Sequence, residues 1–70
     1  MRYAIVIEKT DASYGAYVID LPGCVATGAT VEDVEGNIRS AIELHLAGMR
    51  EDGEQIPFPS SQVEYVDVAA

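Results

Sequence analysis

The sequence predicts an α+β domain of order β-β-β-α-β, with one helix packed on a small, mainly antiparallel sheet. Three observations predict it. Two short β-branched and aromatic segments, Tyr3–Ile7 and Tyr14–Ile19, flank a polar stretch with turn chemistry. The residues from Asp20 to Thr30 then pack a turn, room for a short strand and a helix start into a brief span. After a long amphipathic stretch ending near Glu51, a proline-bearing connector leads to a cleanly alternating segment, Gln62 to Val68.

The first two segments form a hairpin across Glu8-Lys9-Thr10-Asp11-Ala12-Ser13. Alternation in both is only partial, and Gly15 beside Tyr14 suggests a bulge or a close backbone contact in the second strand. Leu21-Pro22-Gly23 carries a type II turn, because proline presets the first central position and glycine supplies positive φ at the second. Cys24 to Thr27 leaves room for one short third strand.

Gly28-Ala29-Thr30 ends that strand and opens the helix. Thr30 is the N-cap, and Asp33 stands where a capping box usually has Glu or Gln. Glu32, Asp33 and Glu35 favour the positive end of the helix dipole, each worth about 0.3 to 1 kcal/mol at most. Asp52-Gly53 offers a glycine C-cap, with Arg50 at the negative end. Gly36 is an interior weak point costing about 1 kcal/mol against alanine, unless a strand backbone packs on it.

On a helical wheel Val31, Val34, Ile38, Ala41, Ile42, His45 and Met49 form one stripe, with Leu44 and Leu46 on opposite shoulders. That arc is wider than one sheet face needs, so either loops cover the helix deeply or a shoulder meets another protein. His45 lies within the stripe without a carboxylate or second histidine one turn away, which reads as a packed histidine rather than a base or ligand. Beyond the helix, Pro57 and Pro59 forbid further helix and lay Ile56 and Phe58 along the edge of the core. In the final segment Val63, Tyr65 and Asp67 share one face and Glu64, Val66 and Val68 the other. Such mixed faces fit an edge or interface strand.

Seventy residues make one domain, 1–70, with a small core. A single cysteine excludes an internal disulfide, and no Cys/His cluster offers a zinc staple, so self-association, as a dimer or tetramer, or a bound partner is the remaining way to stabilise such a core. The N-terminus enters a strand directly, with no leader pattern and no apolar run near the ~18 residues a membrane span needs. This predicts a cytoplasmic protein, and a lone thiol agrees with a reducing compartment. Cys24 has no basic neighbour in sequence to activate it and reads as a small buried hydrophobe.

Twelve carboxylates against four basic residues give a net charge of −8. Arg2, Lys9, Arg39 and Arg50 do not cluster, which argues against autonomous nucleic-acid binding, because phosphate recognition needs grouped cations. The field suits a basic partner, or it serves only to keep the domain soluble, and composition alone favours neither reading. No nucleophile triad, phosphate loop or Cys-x-x-Cys is present, and no cofactor is expected. The one pair with conceivable hydrolase chemistry is Glu8 and Asp20, at strand ends, with a divalent ion.

Tyr14-Gly15-Ala16-Tyr17, the run Asp20 to Thr30 with its Pro22-Gly23-Cys24 and Gly28-Ala29-Thr30, Asn37 to Ile42, and Gly53-Glu54-Gln55-Ile56-Pro57-Phe58-Pro59 together resemble the HicB family of type II toxin-antitoxin antitoxins. The resemblance covers nearly the whole chain. It implies a partial ribonuclease H-like β-β-β-α-β domain without nuclease activity, which binds and masks a HicA-type toxin, a small basic mRNA interferase. Tyr14, Gly15, Pro22, Gly23, Cys24, Gly28, Thr30, Gly53, Pro57 and Pro59 carry the motif and read as structural. Full antitoxins of that family add a C-terminal DNA-binding module, and this sequence stops where it would begin, so no direct nucleic-acid contact is expected.

Charge and helix exposure nominate Glu32, Glu35 and Glu43 for steering a basic partner, and Leu44 and Leu46 for holding it. Two other readings stay open: an orphan homo-oligomeric scaffold or ligand-binding domain without a toxin, and a residual metal-dependent nuclease on Glu8 and Asp20.

Overall fold

A computed structural model describes residues 1–69. The element order is β1 (Ile5–Lys9), β2 (Tyr14–Val18), β3 (Val25–Gly28) and α1 (Val31–Glu51), with the strands in one antiparallel sheet of order β1-β2-β3. No helix among the described residues is long and apolar enough to cross a membrane.

The β1–β2 loop closes through Thr10 and Ser13: the Thr10 amide donates to the Ser13 carbonyl at 2.8 Å, and the Ser13 amide donates to Thr10 Oγ1 at 3.1 Å. The register pairs Ile5 with Val18 and Ile7 with Ala16, then Ala16 with Ala26 on β3. Because side chains alternate, this register gathers Ile5, Ile7, Ala16, Val18 and Ala26 on one face. There they pack with Val34 and Ile38 of α1, and with Leu21 and Cys24 from the intervening turn. Leu21, Val34 and Ile38 are almost wholly buried, each worth about 1.5 to 3 kcal/mol of hydrophobic stabilisation.

The turn has the type II form its residues call for. Gly23 has φ +82°, and the Cys24 amide donates to the Leu21 carbonyl at 3.1 Å. Thr30, extended at φ −132°, caps the helix by accepting the Asp33 amide at 3.0 Å. The far end closes in a Schellman motif, with Glu54 N–H donating to Met49 C=O at 2.9 Å, Gly53 N–H to Arg50 C=O at 3.2 Å, and Gly53 at φ +70°.

Gly28 joins sheet to helix at close range. A Cβ built there would lie 2.6 Å from the Val34 amide nitrogen and 2.9 Å from Val34 Cα. Asn37 reinforces the junction by donating from Nδ2 to the Thr27 carbonyl at 2.7 Å. Gly15, by contrast, is neither bulged nor crowded: it pairs in continuous register with Glu8 and Thr27, and open space surrounds its Cβ position. Gly36 likewise meets nothing, so no strand backbone compensates its cost.

The connector after the helix is fastened at two points. Tyr3 donates its hydroxyl to the Pro57 carbonyl at 2.6 Å. Asp20 accepts both the Ser60 and Ser61 amides at 2.9 Å, and the Ser61 hydroxyl at 2.7 Å. Hydrogen bonds from the Ser61 amide, then from its hydroxyl and the Ser60 amide, hold the Asp20 carboxyl below its ordinary 3.8.

Beyond this clamp the expected fourth strand does not join the sheet. Residues 62–69 make no strand pairing and are all exposed. With Asp67 on one face and Glu64 on the other, neither row is purely apolar, and a strand pairs only where an edge is offered in register. The sheet described is therefore three-stranded, with β1 and β3 as its edges.

Gly28→Ala should destabilise by about 1 to 3 kcal/mol, because backbone rather than a movable side chain fills the space, whereas Gly36→Ala should stabilise by about 0.5 to 1 kcal/mol. Urea unfolding of both variants checks the pair, and a neutral Gly28→Ala would contradict the tight junction. Since the folded Asp20 pKa is lowered, its contribution to stability is present above the unfolded value of 3.8 and is lost as pH falls through the folded value. Wild type should accordingly be more stable than Asp20→Asn near neutral pH and converge with it in acid, with faster Ser60 and Ser61 amide exchange in the variant. A stability gap independent of pH would refute the clamp.

Candidate partner-binding surface

Seven of the twelve carboxylates, Glu32, Asp33, Glu35, Glu43, Glu51, Asp52 and Glu54, belong to α1 and its C-terminal turn, and all are exposed. The helix is positioned by its junction at Gly28 and lies over β3 and β2, leaving its flank on the β1 side uncovered.

That flank forms a groove of about 590 Å³ between β1 and α1. Tyr3 and Ile5 line it from the strand side and Ile38, Ile42 and Leu46 from the helix, with Glu35, Arg39, Glu43 and Arg50 as its charged lining. Glu35 and Glu43 thus stand with two of the chain's four basic residues. Glu32 is on the same side of the helix by spacing, three residues before Glu35.

The two leucine shoulders have different fates. Leu44 is 76% exposed on the opposite flank, about 100° around the helix from Glu43, whereas Leu46 is 8% exposed and joins the core at the floor of the groove. Glu32, Glu35 and Glu43 share one side with Leu46, and Leu44 does not join them. His45 is half-buried within the helix's packed stripe.

The sequence reading missed a second surface. The sheet's far face is uncovered, and the register aligns Val6, Tyr17 and Val25 across all three strands, with Tyr17 42% and Val25 64% exposed. Counting outward from Gly15 in paired register would have found this row, but the partial alternation of each strand alone concealed it.

Glu8 and Asp20 are not brought together. The Ile19 amide donates to the Ala4 carbonyl, so Asp20 lies beside the start of β1, about five residues from Glu8, or roughly 17 Å along the strand. Paired ions need ligands around a site only ~4 Å across. Among the described residues no group of three or more His, Cys, Asp or Glu could hold a metal ion. Cys24 is buried, and desolvation pushes its thiol above the ordinary value, the opposite of an activated nucleophile.

The chain is similar to several known proteins. It is 37% identical over 67 residues to the 14.9 kDa protein of the rep-hol intergenic region of Haemophilus phage HP1, covering 96% of this chain and 50% of that one. It thus spans half the length of that relative. A UPF0150 protein of Archaeoglobus fulgidus is 41% identical over 59 residues, covering 80% of this chain and 86% of the relative. A solved structure described as a HicA3 and HicB3 toxin-antitoxin complex contains a chain that superposes with a TM-score of 0.75 at 30% identity, covering 86% of this chain and 70% of that one. The model of a family described as HicB-like antitoxin of bacterial toxin-antitoxin system matches residues 3–69. With the match running through sheet, helix and connector alike, the chain belongs to the HicB-like antitoxin family.

Proposed function

We propose that this chain is the toxin-masking part of an antitoxin: a non-enzymatic module that binds a small basic toxin of the HicA type and covers its active surface. The observation that carries the reading is the structural likeness, at 30% identity, to a chain from a toxin-antitoxin complex. The charge supports it. A net charge of −8, with exposed carboxylates concentrated on one helix, attracts a basic partner and repels nucleic acid.

In this reading Glu32, Glu35 and Glu43 steer the encounter, and exposed apolar groups, Leu44 among them, hold the docked pair. Leu46 contributes by supporting the helix from the core. The separation of Glu8 from Asp20 gives a residual nuclease no geometric support.

The test is binding kinetics with a HicA-type toxin at low and high salt. Replacing Glu32, Glu35 and Glu43 together by Lys should lower the association rate at low salt by about tenfold or more, with little change in dissociation, and the difference should shrink as salt rises. Equal association rates at low salt would remove the steering role. No binding by the unaltered chain to any such toxin would remove the antitoxin reading itself.

A further inference from the structure

Three of the motif glycines have a reason inside the fold. Gly23 and Gly53 hold positive φ in their turns, and Gly28 admits the backbone of Val34. Gly15 has none: its φ lies outside the left-handed region, its pairing is unbroken, and a Cβ built on it meets nothing. A glycine inside a strand weakens it, and one without a local reason marks a place where a ligand or another chain comes close to the backbone.

The surroundings of Gly15 have the form of a binding site. By alternation it faces away from the helix together with Tyr17, and the register sets Glu8 on one side of it and Thr27 on the other. The missing side chain leaves a depression of about 490 Å³, bounded also by Val25. The strands that carry Glu8 and Thr27 run about 10 Å apart across it, which leaves room for one flat group lying on the Gly15 peptide. This chain's own cations are elsewhere. Lys9 alternates to the opposite face, Arg39 and Arg50 line the groove on the helix side, and Arg2 stands with Ser60 and Ser61.

We propose that this depression receives an arginine side chain of the basic partner, and that the row of Val6, Tyr17 and Val25 is among the apolar groups that hold the docked toxin. The proposal rests on the antitoxin reading for the identity of the partner. A guanidinium is planar, lies flat on a peptide plane or an aromatic ring, and forks to a carboxylate; Glu8 supplies the carboxylate, Tyr17 the ring and the Thr27 hydroxyl a further acceptor. A lysine would use only the charge. The apolar row beside the depression supplies the water-excluding contact that such an anchor needs around it.

Without toxin, acetyl-arginine amide titrated into the chain should give saturable amide shifts at Gly15, Tyr17 and Thr27. They should vanish in Gly15→Val and in Glu8→Gln, and acetyl-lysine amide should give none of that size. With a HicA-type toxin, Gly15→Val should raise the dissociation constant by about tenfold or more, mainly through faster dissociation, whereas the helix charges act on association. The same variant should unfold in no less urea than the unaltered chain, because valine suits a strand and open space receives it. Gly36→Ala, which removes a glycine from the helix, should leave toxin affinity unchanged. Glu8→Gln should weaken toxin binding in the same direction, so the result does not hang on how Gly15→Val folds. Toxin bound equally by the unaltered chain, Gly15→Val and Glu8→Gln would overturn the proposal, as would arginine-amide shifts that are absent or fall elsewhere. Saturable shifts at the depression in a chain that binds no HicA-type toxin would remove the antitoxin reading and leave the arginine site standing.

Discussion

The approach of β3 to the first turn of α1 at Gly28 is the constraint on which the remaining architecture depends. Only a residue without a side chain lets Val34 backbone come so near, and that nearness sets where the helix axis crosses the sheet. Thr30 and Asn37 fix the same junction by hydrogen bonds, one along the helix and one back to the strand. Held at this end, the helix covers β3 and β2 and buries Val34 and Ile38 against Ala16 and Val18. The same tether leaves the β1 side unroofed, which is why a small domain carries an apolar groove where a core would otherwise close.

The chain belongs to an antitoxin family, and its exposed surfaces are what the fold sets out most plainly. Most of its carboxylates lie on the exposed helix and the turn that ends it, Asp20 is held in the clamp, and desolvation raises the pKa of the buried Cys24 thiol. The helix brings exposed carboxylates and the groove together on one side, while the Val6, Tyr17 and Val25 row offers a second apolar face on the other.

The elements were legible where local chemistry dictates local geometry. Pro22-Gly23 specified its turn, Thr30 its cap and Gly53 the Schellman ending, because each depends on only a few neighbouring residues. Gly15 and Gly36 were ambiguous for the opposite reason: a glycine that permits close approach and one that faces open water look alike until the neighbouring chain is placed. Leu44 and Leu46 were equally ambiguous, since two shoulders of one stripe are equivalent on a wheel. The tilt of the helix on the sheet buried one and exposed the other.

By itself, the sequence determined three strands and a helix, their order, the caps and turn between them, an acidic helix surface, and the motif resemblance that led to the family. Tertiary structure alone decided that Asp20 clamps the connector instead of meeting Glu8, that a groove opens beside β1, and that the alternating segment 62–68 stays outside its own sheet. The division is physical. Turns and caps are set by interactions a few residues apart, whereas burial, charge clustering and strand pairing depend on groups that only folding brings within reach.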